Sequence, residues 1–417
     1  MRSDNRWRWC AWVLLIAAAC LALGQTCSGP APSNVPVASA CGLHAAYCVE
    51  VVGKSPIALA AGDFNGDGRP DVAAANFGTD NIEILLNDGG GAIVPAGRYK
   101  AGDSPGAIVA ADFNGDGKLD LAASDGLGIT VLINHGDGTF APAVHVALDQ
   151  TINAFPVSVT AADFNGDGAI DLAASGIGWT FDFQAVTSAN ADNVAILLND
   201  GTGHFTLANT ILIDNPFPRL GDITVGDVDG DGLPDLLVDQ SSGRVTVLLN
   251  QGGGQFVNAF LVLVGENHIL SAVKLVDLNG DGRLDLIVAD NGDPLAAEGS
   301  GGDVVVFLNE GGGVFGSPVR IPTGNAPTSV VIADLNLDGQ LDLAVANNLS
   351  NDVSILLNQG GVVFTPAVNF TTGEGPTSVV AADFNGDGHL DLAVSHMNSG
   401  AVGVYLNDGT GDFTSGR

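Results

Sequence analysis

The sequence predicts an all-β fold: a seven-bladed β-propeller of four-stranded blades, closed by the N-terminal strand. Three observations carry that expectation. An aspartate-rich phrase recurs seven times from residue 63 onward, at a mean period of about 53 residues, within the range of propeller blades and solenoid units. Each period reads as short apolar runs bounded by Gly, Asn, Asp and Pro, with no helical periodicity. The last period stops short of a fourth strand, while residues 48–52, ahead of the first phrase, supply one.

The chain opens with Arg2, Arg6 and Arg8, then an apolar run from Trp9 to Leu23, then polar and Pro-rich sequence. A charged segment followed by an apolar stretch too short to span a membrane comfortably is the pattern of an export signal. Ala22 and Gly24 suit cleavage before Gln25, which makes 1–24 a signal peptide. The alternative is a lipid anchor on Cys20 behind Ala17, Ala18 and Ala19, although the branched aliphatic residue usual three places before such a cysteine is missing.

Residues 25–45 read as a linker containing Cys and Pro. All five cysteines (Cys10, Cys20, Cys27, Cys41 and Cys48) fall in the first 48 residues, in keeping with export. Cys41 with Cys48 makes a disulfide across a short loop, while sequence leaves the pairing among Cys27, Cys41 and Cys48 open. Zinc is not expected, because no paired CxxC and no neighbouring histidine pair occurs. No later segment approaches 18 uninterrupted apolar residues, so no integral membrane domain is expected after signal removal. The expected location is secreted, periplasmic or cell-surface.

The repeat array occupies residues 46–417. Its phrase begins as DFNGDGRPD at 63 and returns at 112, 163, 227, 277, 334 and 383. The last copy shows how a blade is assembled. Pro376 to Asp383 is an apolar run entering the loop, Leu390 to His396 a strand leaving it, and Ala401 to Asn407 a third strand after a turn. In earlier copies a phenylalanine then opens a more polar fourth strand, as in Phe364 to Gly373. Pro56 precedes Asp63 by the same interval that separates Pro376 from Asp383, so the strand before Pro56 is placed to complete the last blade. Such closure removes both open sheet edges, which otherwise promote aggregation.

The phrase has the form D-x-[ND]-x-D-G-x-x-D, with side-chain oxygens at loop positions 1, 3, 5 and 9, a backbone carbonyl at 7 and a glycine for the sharp turn at 6. Loop one offers Asp63, Asn65, Asp67, Arg69 and Asp71, loop two Asp112, Asn114, Asp116, Lys118 and Asp120. Loop three offers Asp163, Asn165, Asp167, Ala169 and Asp171, loop four Asp227, Asp229, Asp231, Leu233 and Asp235. Loop five offers Asp277, Asn279, Asp281, Arg283 and Asp285, and loop six Asp334, Asn336, Asp338, Gln340 and Asp342. Loop seven offers Asp383, Asn385, Asp387, His389 and Asp391.

An all-oxygen, carboxylate-rich donor set suits Ca2+, up to seven structural ions, over zinc or copper. The bland alternative is a tight turn without metal, but the clustered carboxylates would then repel one another. An EF-hand fails, because it needs flanking helices and a Glu at position 12, where the first three copies have Ala74, Ala123 and Ala174. In loop six Leu337 replaces the glycine of position 4, which is costly if φ is positive and predicts a weaker site.

On these residues the repeat resembles the FG-GAP/VCBS family, the blade type of integrin α-subunit heads, over about residues 46–417. The resemblance implies calcium in the loop joining the first two strands of each blade, on one face of the ring, with loop positions 1, 3, 5, 7 and 9 as ligands in all seven copies. It also implies that partners bind at the opposite face.

The formal net charge of −33 repels phosphates and excludes nucleic acid as a partner. From the last motif aspartate to the asparagine ending strand three the spacing is 14 to 16 residues in five copies, but 28 in the third and 24 in the fifth. Both insertions fall between strands two and three, opposite the metal loops, and long surface loops often carry function. The third holds Trp179, Phe181 and Phe183, which either pack under their own loop or stack on a sugar or anchor a protein.

No nucleophile elbow, zinc helix, phosphate loop or dinucleotide fingerprint occurs, and the aspartates are accounted for as ligands. No catalytic residue is therefore named. The expected function is a binding or adhesion module for an extracellular protein or polysaccharide. The alternatives are a carbohydrate-active lyase or hydrolase, or a purely structural surface protein.

Overall fold

A computed structural model describes residues 40–42, 44–50, 53–148, 154–178, 192–213, 220–240, 242–293 and 302–414. Strand β1 (Tyr47–Glu50) comes first and stands apart in sequence from the blade it completes. Blade one is β2 (Pro56–Gly62), β3 (Asp71–Asn76), β4 (Asn81–Asn87) and β5 (Ile93–Lys100). Blade two is β6 (Ile108–Ala111), β7 (Asp120–Asp125), β8 (Gly128–Leu132) and β9 (Val144–Ala147). Blade three is β10 (Ala154–Ala162), β11 (Asp171–Gly178), β12 (Asp192–Asn199) and β13 (Phe205–Ile213). Blade four is β14 (Leu220–Gly226), β15 (Asp235–Gln240), β16 (Arg244–Asn250) and β17 (Phe256–Leu263). Blade five is β18 (Leu270–Val276), β19 (Asp285–Asp290), β20 (Asp303–Phe307) and β21 (Val319–Pro322). Blade six is β22 (Pro327–Ala333), β23 (Asp342–Asn347), β24 (Asp352–Leu356) and β25 (Val368–Thr371). Blade seven is β26 (Pro376–Ala382), β27 (Asp391–His396) and β28 (Ala401–Tyr405), with β1 antiparallel to β28 as its fourth strand.

Seven antiparallel sheets of four thus form the ring, and the N-terminal strand closes it as the sequence predicts. The strand spans Tyr47–Glu50. The expected 48–52 segment therefore begins one residue earlier, and residues 51 and 52 lie outside the described residues. Blade seven meets blade one through the Thr377 hydroxyl, which donates to the Pro56 carbonyl at 3.1 Å, and the Leu59 N–H, which donates to Ser378 Oγ at 3.2 Å.

The second strands explain why the repeats read as unbroken apolar runs. β3, β7, β15, β19, β23 and β27 are buried at every residue, because a neighbouring blade covers each face. The core is accordingly divided among the joints. Val245, Val247 and Leu237 of blade four pack on Val288, Val305 and Phe307 of blade five, and comparable clusters fill the other six joints.

The fourth strands depart from expectation in three blades. Phe140, Phe315 and Phe364 make only isolated bridges to Asn134, Asn309 and Asn358, and regular pairing resumes at Val144, Val319 and Val368. Pro142, Pro318 and Pro366 intervene, and each removes a donor from the ladder. Blades three and four lack such a proline, and there the strand starts at Phe205 and Phe256; blade one carries Pro95 yet pairs from Ile93 onward, so the proline alone does not set the boundary.

Candidate metal centre

Each first strand runs into an aspartate loop and each second strand leaves it, so all seven loops have strands on both sides. In loop one the Asp63 carboxylate gathers the backbone. Its Oδ1 accepts Gly66 N–H at 2.7 Å and Asp67 N–H at 3.2 Å, and its Oδ2 accepts Gly68 N–H at 2.8 Å. Gly66 and Gly68 stand at φ +76° and +82°, which is why two glycines alternate with the acids here. Asn65 Oδ1 accepts Asp67 N–H at 2.9 Å, and Asp67 Oδ1 accepts Arg69 N–H at 3.0 Å.

The other loops repeat this frame. Asp112, Asp163, Asp227, Asp277 and Asp383 each accept the N–H groups of the glycines at positions 4 and 6, at 2.7–2.9 Å. In loop six Asp334 accepts Asp338 and Gly339 N–H at 3.1 and 2.9 Å. Leu337 is held there at φ +60°, the positive value that makes leucine costly.

Position nine does more than the ligand role expected of it. Asp71 is fully buried; its Oδ2 accepts Phe64 N–H at 2.9 Å and its Oδ1 accepts Asn87 N–H at 2.8 Å. Asp120, Asp171, Asp235, Asp285, Asp342 and Asp391 tie the start of their own loops to the end of strand three in the same way. Each carboxylate oxygen keeps a second lone pair for a cation. Burial pushes these carboxyls up, backbone N–H donors pull them part of the way back, and the neighbouring loop carboxylates push them further; Asp235 and Asp391 reach about 6. A bound cation would relieve that crowding.

The donor set fits such an ion best in loop four. The carboxylates of Asp227, Asp229 and Asp235 lie within 4.8 Å of one another, the one group of three such acids that converges so closely among the described residues. Elsewhere position three is an asparagine whose Nδ2 donates to the position-five carboxylate in loops one, three, five, six and seven, at 2.8–3.0 Å. Position seven also contributes a side chain in three loops. Arg69 and Arg283 pair with Asp67 and Asp281 at 2.5 Å, and Lys118 pairs with Asp116 at 3.1 Å. The Lys118 ammonium holds Asp116 below the usual carboxylate range, and hydrogen bonds led by the Asn279 amide do the same for Asp281.

Two participants escaped the sequence reading. The asparagine ending strand three is buried in every blade. In six blades its amide donates to the position-two carbonyl of the preceding blade's loop: Asn87 to Phe384, Asn134 to Phe64, Asn199 to Phe113, Asn250 to Phe164, Asn309 to Val228 and Asn407 to Leu335, at 2.7–3.1 Å. The position-two ring then packs edge-on against the phenylalanine opening the next blade's fourth strand, with Phe64–Phe140, Phe113–Phe205 and Phe164–Phe256 centroids 6.0, 5.3 and 5.6 Å apart. The usable signal was an asparagine 14 to 16 residues after the motif in five of the seven copies.

Trp179, Phe181 and Phe183 lie outside the described residues. At the ends of the blades away from the loops, three histidines are held by structural partners. His145 and His268 bond to buried Asp125 and Asp290 at 3.0 and 2.8 Å. His396 is fully buried, which lowers its pKa to about 3, and it lies 3.0 Å from the Tyr405 hydroxyl.

Six segments of the chain, 63–123, 112–174, 184–238, 239–288, 290–345 and 334–394, match the family described as the FG-GAP-like repeat. No curated protein matches by sequence. Among solved structures the chain is similar to an Agrocybe aegerita lectin described by its specific recognition of non-reducing terminal N-acetylglucosamine. The two share 21% identity at a TM-score of 0.52, over 82% of this chain and 86% of that one. It is also similar to the periplasmic gluconolactonase PpgL of Pseudomonas aeruginosa, with 18% identity and a TM-score of 0.53 over 77% of this chain and 86% of that one. At such identities the likeness is one of fold.

Proposed function

The chain belongs to the FG-GAP-like repeat family, and from that premise we propose that it is an exported calcium-binding propeller acting as a binding module for an extracellular protein or polysaccharide. Calcium is structural in this reading, and the chain is not an enzyme. The observation that carries the metal assignment is the convergence of Asp227, Asp229 and Asp235 within 4.8 Å, on a backbone frame that recurs in the other six loops. In each loop the oxygens of positions 1, 3, 5 and 9, with the position-seven carbonyl, would hold the ion, which supplies charge neutralisation and cross-linking. Seven divalent ions would bring the formal charge from −33 to about −19, counting two charges for each ion.

The binding assignment is supported by how the other polar groups are used. Among the described residues opposite the loops, the buried acids Asp125 and Asp290 are engaged by His145 and His268 in pairs that organise turns rather than standing free for proton transfer. Partners would meet that opposite face, where the blade-three and blade-five insertions depart from the repeat. A glycan is the first class to try, because the propeller fold is shared with a lectin.

The test is metal content and thermal midpoint of the purified chain before and after exhaustive EDTA. Several calcium ions per chain, approaching seven, and a large fall in midpoint are expected. A ligand binding only the folded state contributes about 2.7 kcal/mol per site at a hundredfold excess over Kd. No bound calcium and an unchanged midpoint would reduce the loops to turns. Glycan and matrix-protein arrays, with Trp179→Ala alongside wild type, then test the partner. Release of sugar products during incubation would favour the enzyme alternative.

A further inference from the structure

The seven loops share one backbone frame but differ in what already sits on the position-five carboxylate. In loops one, two and five a cation from position seven reaches it: Arg69 on Asp67, Lys118 on Asp116 and Arg283 on Asp281. The two arginines are fixed a second time, since Arg69 Nε donates to the Asn87 carbonyl at 3.2 Å and Arg283 Nε to the Asn309 carbonyl at 2.6 Å. Asp67 and Asp281 thus have both carboxylate oxygens occupied. Oδ1 accepts the position-seven N–H, and Oδ2 takes both the asparagine amide and the guanidinium.

Position seven is Ala169 in loop three, Leu233 in loop four, Gln340 in loop six and His389 in loop seven. In loops three, six and seven the position-five Oδ2 meets a neutral amide only. Loop four goes further, because Asp229 replaces the asparagine and Asp231 keeps just the backbone donation from Leu233 at 2.8 Å.

We infer that the position-seven side chain is a built-in counterion that sorts the calcium loops into two affinity classes, with loops three, four, six and seven tight and loops one, two and five weak. This rests on the calcium reading above and specifies how that site is regulated. A divalent ion on Asp67 or Asp281 must sit beside a fixed guanidinium and displace part of its hydrogen bonding, whereas in loop four it meets three carboxylates and no cation. Charge repulsion at this range, screened because the arginines are half exposed, weakens calcium by about tenfold per loop. Loop six is sorted with the tight class on its position-seven residue alone, because Gln340 carries no charge to place on Asp338; the positive φ of Leu337 is a backbone cost separate from this counterion effect. The chain therefore keeps part of its ring cemented at low calcium and completes it as calcium rises.

The test is calcium titration of the full chain by calorimetry after metal removal, with terbium luminescence as a second readout. Four sites are expected to fill first, and three about tenfold more weakly. The triple variant Arg69→Ala, Lys118→Ala, Arg283→Ala should merge the three into the tight class. Arg69→Lys with Arg283→Lys should preserve two classes. Ala169→Arg, which leaves the native cations in place, should move one site from tight to weak. A single class of seven sites in wild type, or a triple variant that titrates like wild type, would overturn the sorting and leave the calcium reading standing. Failure of every loop to bind calcium would remove the calcium reading itself, and the sorting with it.

Discussion

The side-chain amide of Asn199 donates to the main-chain carbonyl of Phe113, 2.7 Å away and 86 residues earlier in the chain. Blade three thereby holds the aspartate loop of blade two. The second amide hydrogen goes to the Ile170 carbonyl at 2.9 Å, and Oδ1 accepts Gly201 and Gly203 N–H, both at 3.1 Å, so a buried amide is used completely. With its twins in five other joints, this contact makes the loops part of the ring closure: an ion that stiffens one loop also stiffens the next blade's attachment.

Asn199→Ala would strand two buried carbonyls. At about 1–3 kcal/mol for each buried group left unsatisfied, the variant should lose about 2–6 kcal/mol in urea unfolding. Blade six provides the control, since the Asn358 amide reaches the Leu341 carbonyl of its own blade at 3.2 Å. Asn358→Ala should lose less, and equal losses would remove the inter-blade role.

Leu337 offers the opposite sign. It is 55% exposed and holds φ +60° where the other loops have glycine. A non-glycine residue in that region costs about 1–2 kcal/mol, and asparagine visits it more easily. Leu337→Asn should therefore gain about 1 kcal/mol and raise the thermal midpoint, without the unfolded-state entropy that glycine would add. A lowered midpoint would mean that the leucine side chain makes contacts worth more than the strain.

These two cases show where sequence was enough. The loop's place between the first two strands and the glycines its turn needs were legible, because that pattern is local, with bonds only a few residues apart, as from Asp63 to Gly66. Ring closure was legible too, because a missing fourth strand at one end and a spare strand at the other can be counted. The asparagine contacts were not, since their partners lie in another blade and no local pattern names them. The broken fourth strands at Phe140, Phe315 and Phe364 were not readable, because the phenylalanine drew the boundary too early and a following proline does not by itself break the strand, as Pro95 in β5 shows. The backbone tie made by Asp71 and its equivalents was hidden because the motif already assigned that position a proposed ligand role.

Asp239 predicts a pH dependence unrelated to the loops. Its side chain is fully buried against Gly221, where an added Cβ would lie 2.1 Å from Asp239 Oδ1. Its Oδ2 has no partner. Burial, and secondly the nearby Asp222 charge, raise its pKa to about 7, with Lys274 opposing. The folded state therefore holds a proton that the unfolded chain has already lost. The stability this provides is complete below about pH 4 and disappears as pH rises through 7, on the order of a few kcal/mol. Asp239→Asn should flatten that fall in saturating calcium, where the loop carboxylates stay ionised. Buried His396 acts in the opposite direction below pH 6.5 but is common to both proteins, so the difference between the two profiles isolates Asp239. Parallel profiles from pH 4 to 8 would show that the carboxyl is ionised in the fold.

The last prediction concerns the closing strand. Cys41 and Cys48 form a disulfide across a separation of seven residues, and the Tyr405 hydroxyl donates to the Cys41 carbonyl. With that proton committed, neutral His396 must donate its Nε2–H to the Tyr405 oxygen, which burial of the ring enforces. The bridge thus fastens residues 40–48 over blade seven, just where β1 supplies the fourth strand from the far end of the chain. Closing a loop this short contributes about 2–3 kcal/mol. Cys41→Ser with Cys48→Ser should lose about that much, and the loss should be local. In hydrogen exchange the amides of Tyr47–Glu50 and Ala401–Tyr405 should open first, with the blade-four strands unchanged. Uniform loss of protection across all seven blades would mean that the ring opens as one unit and that the bridge guards the whole closure.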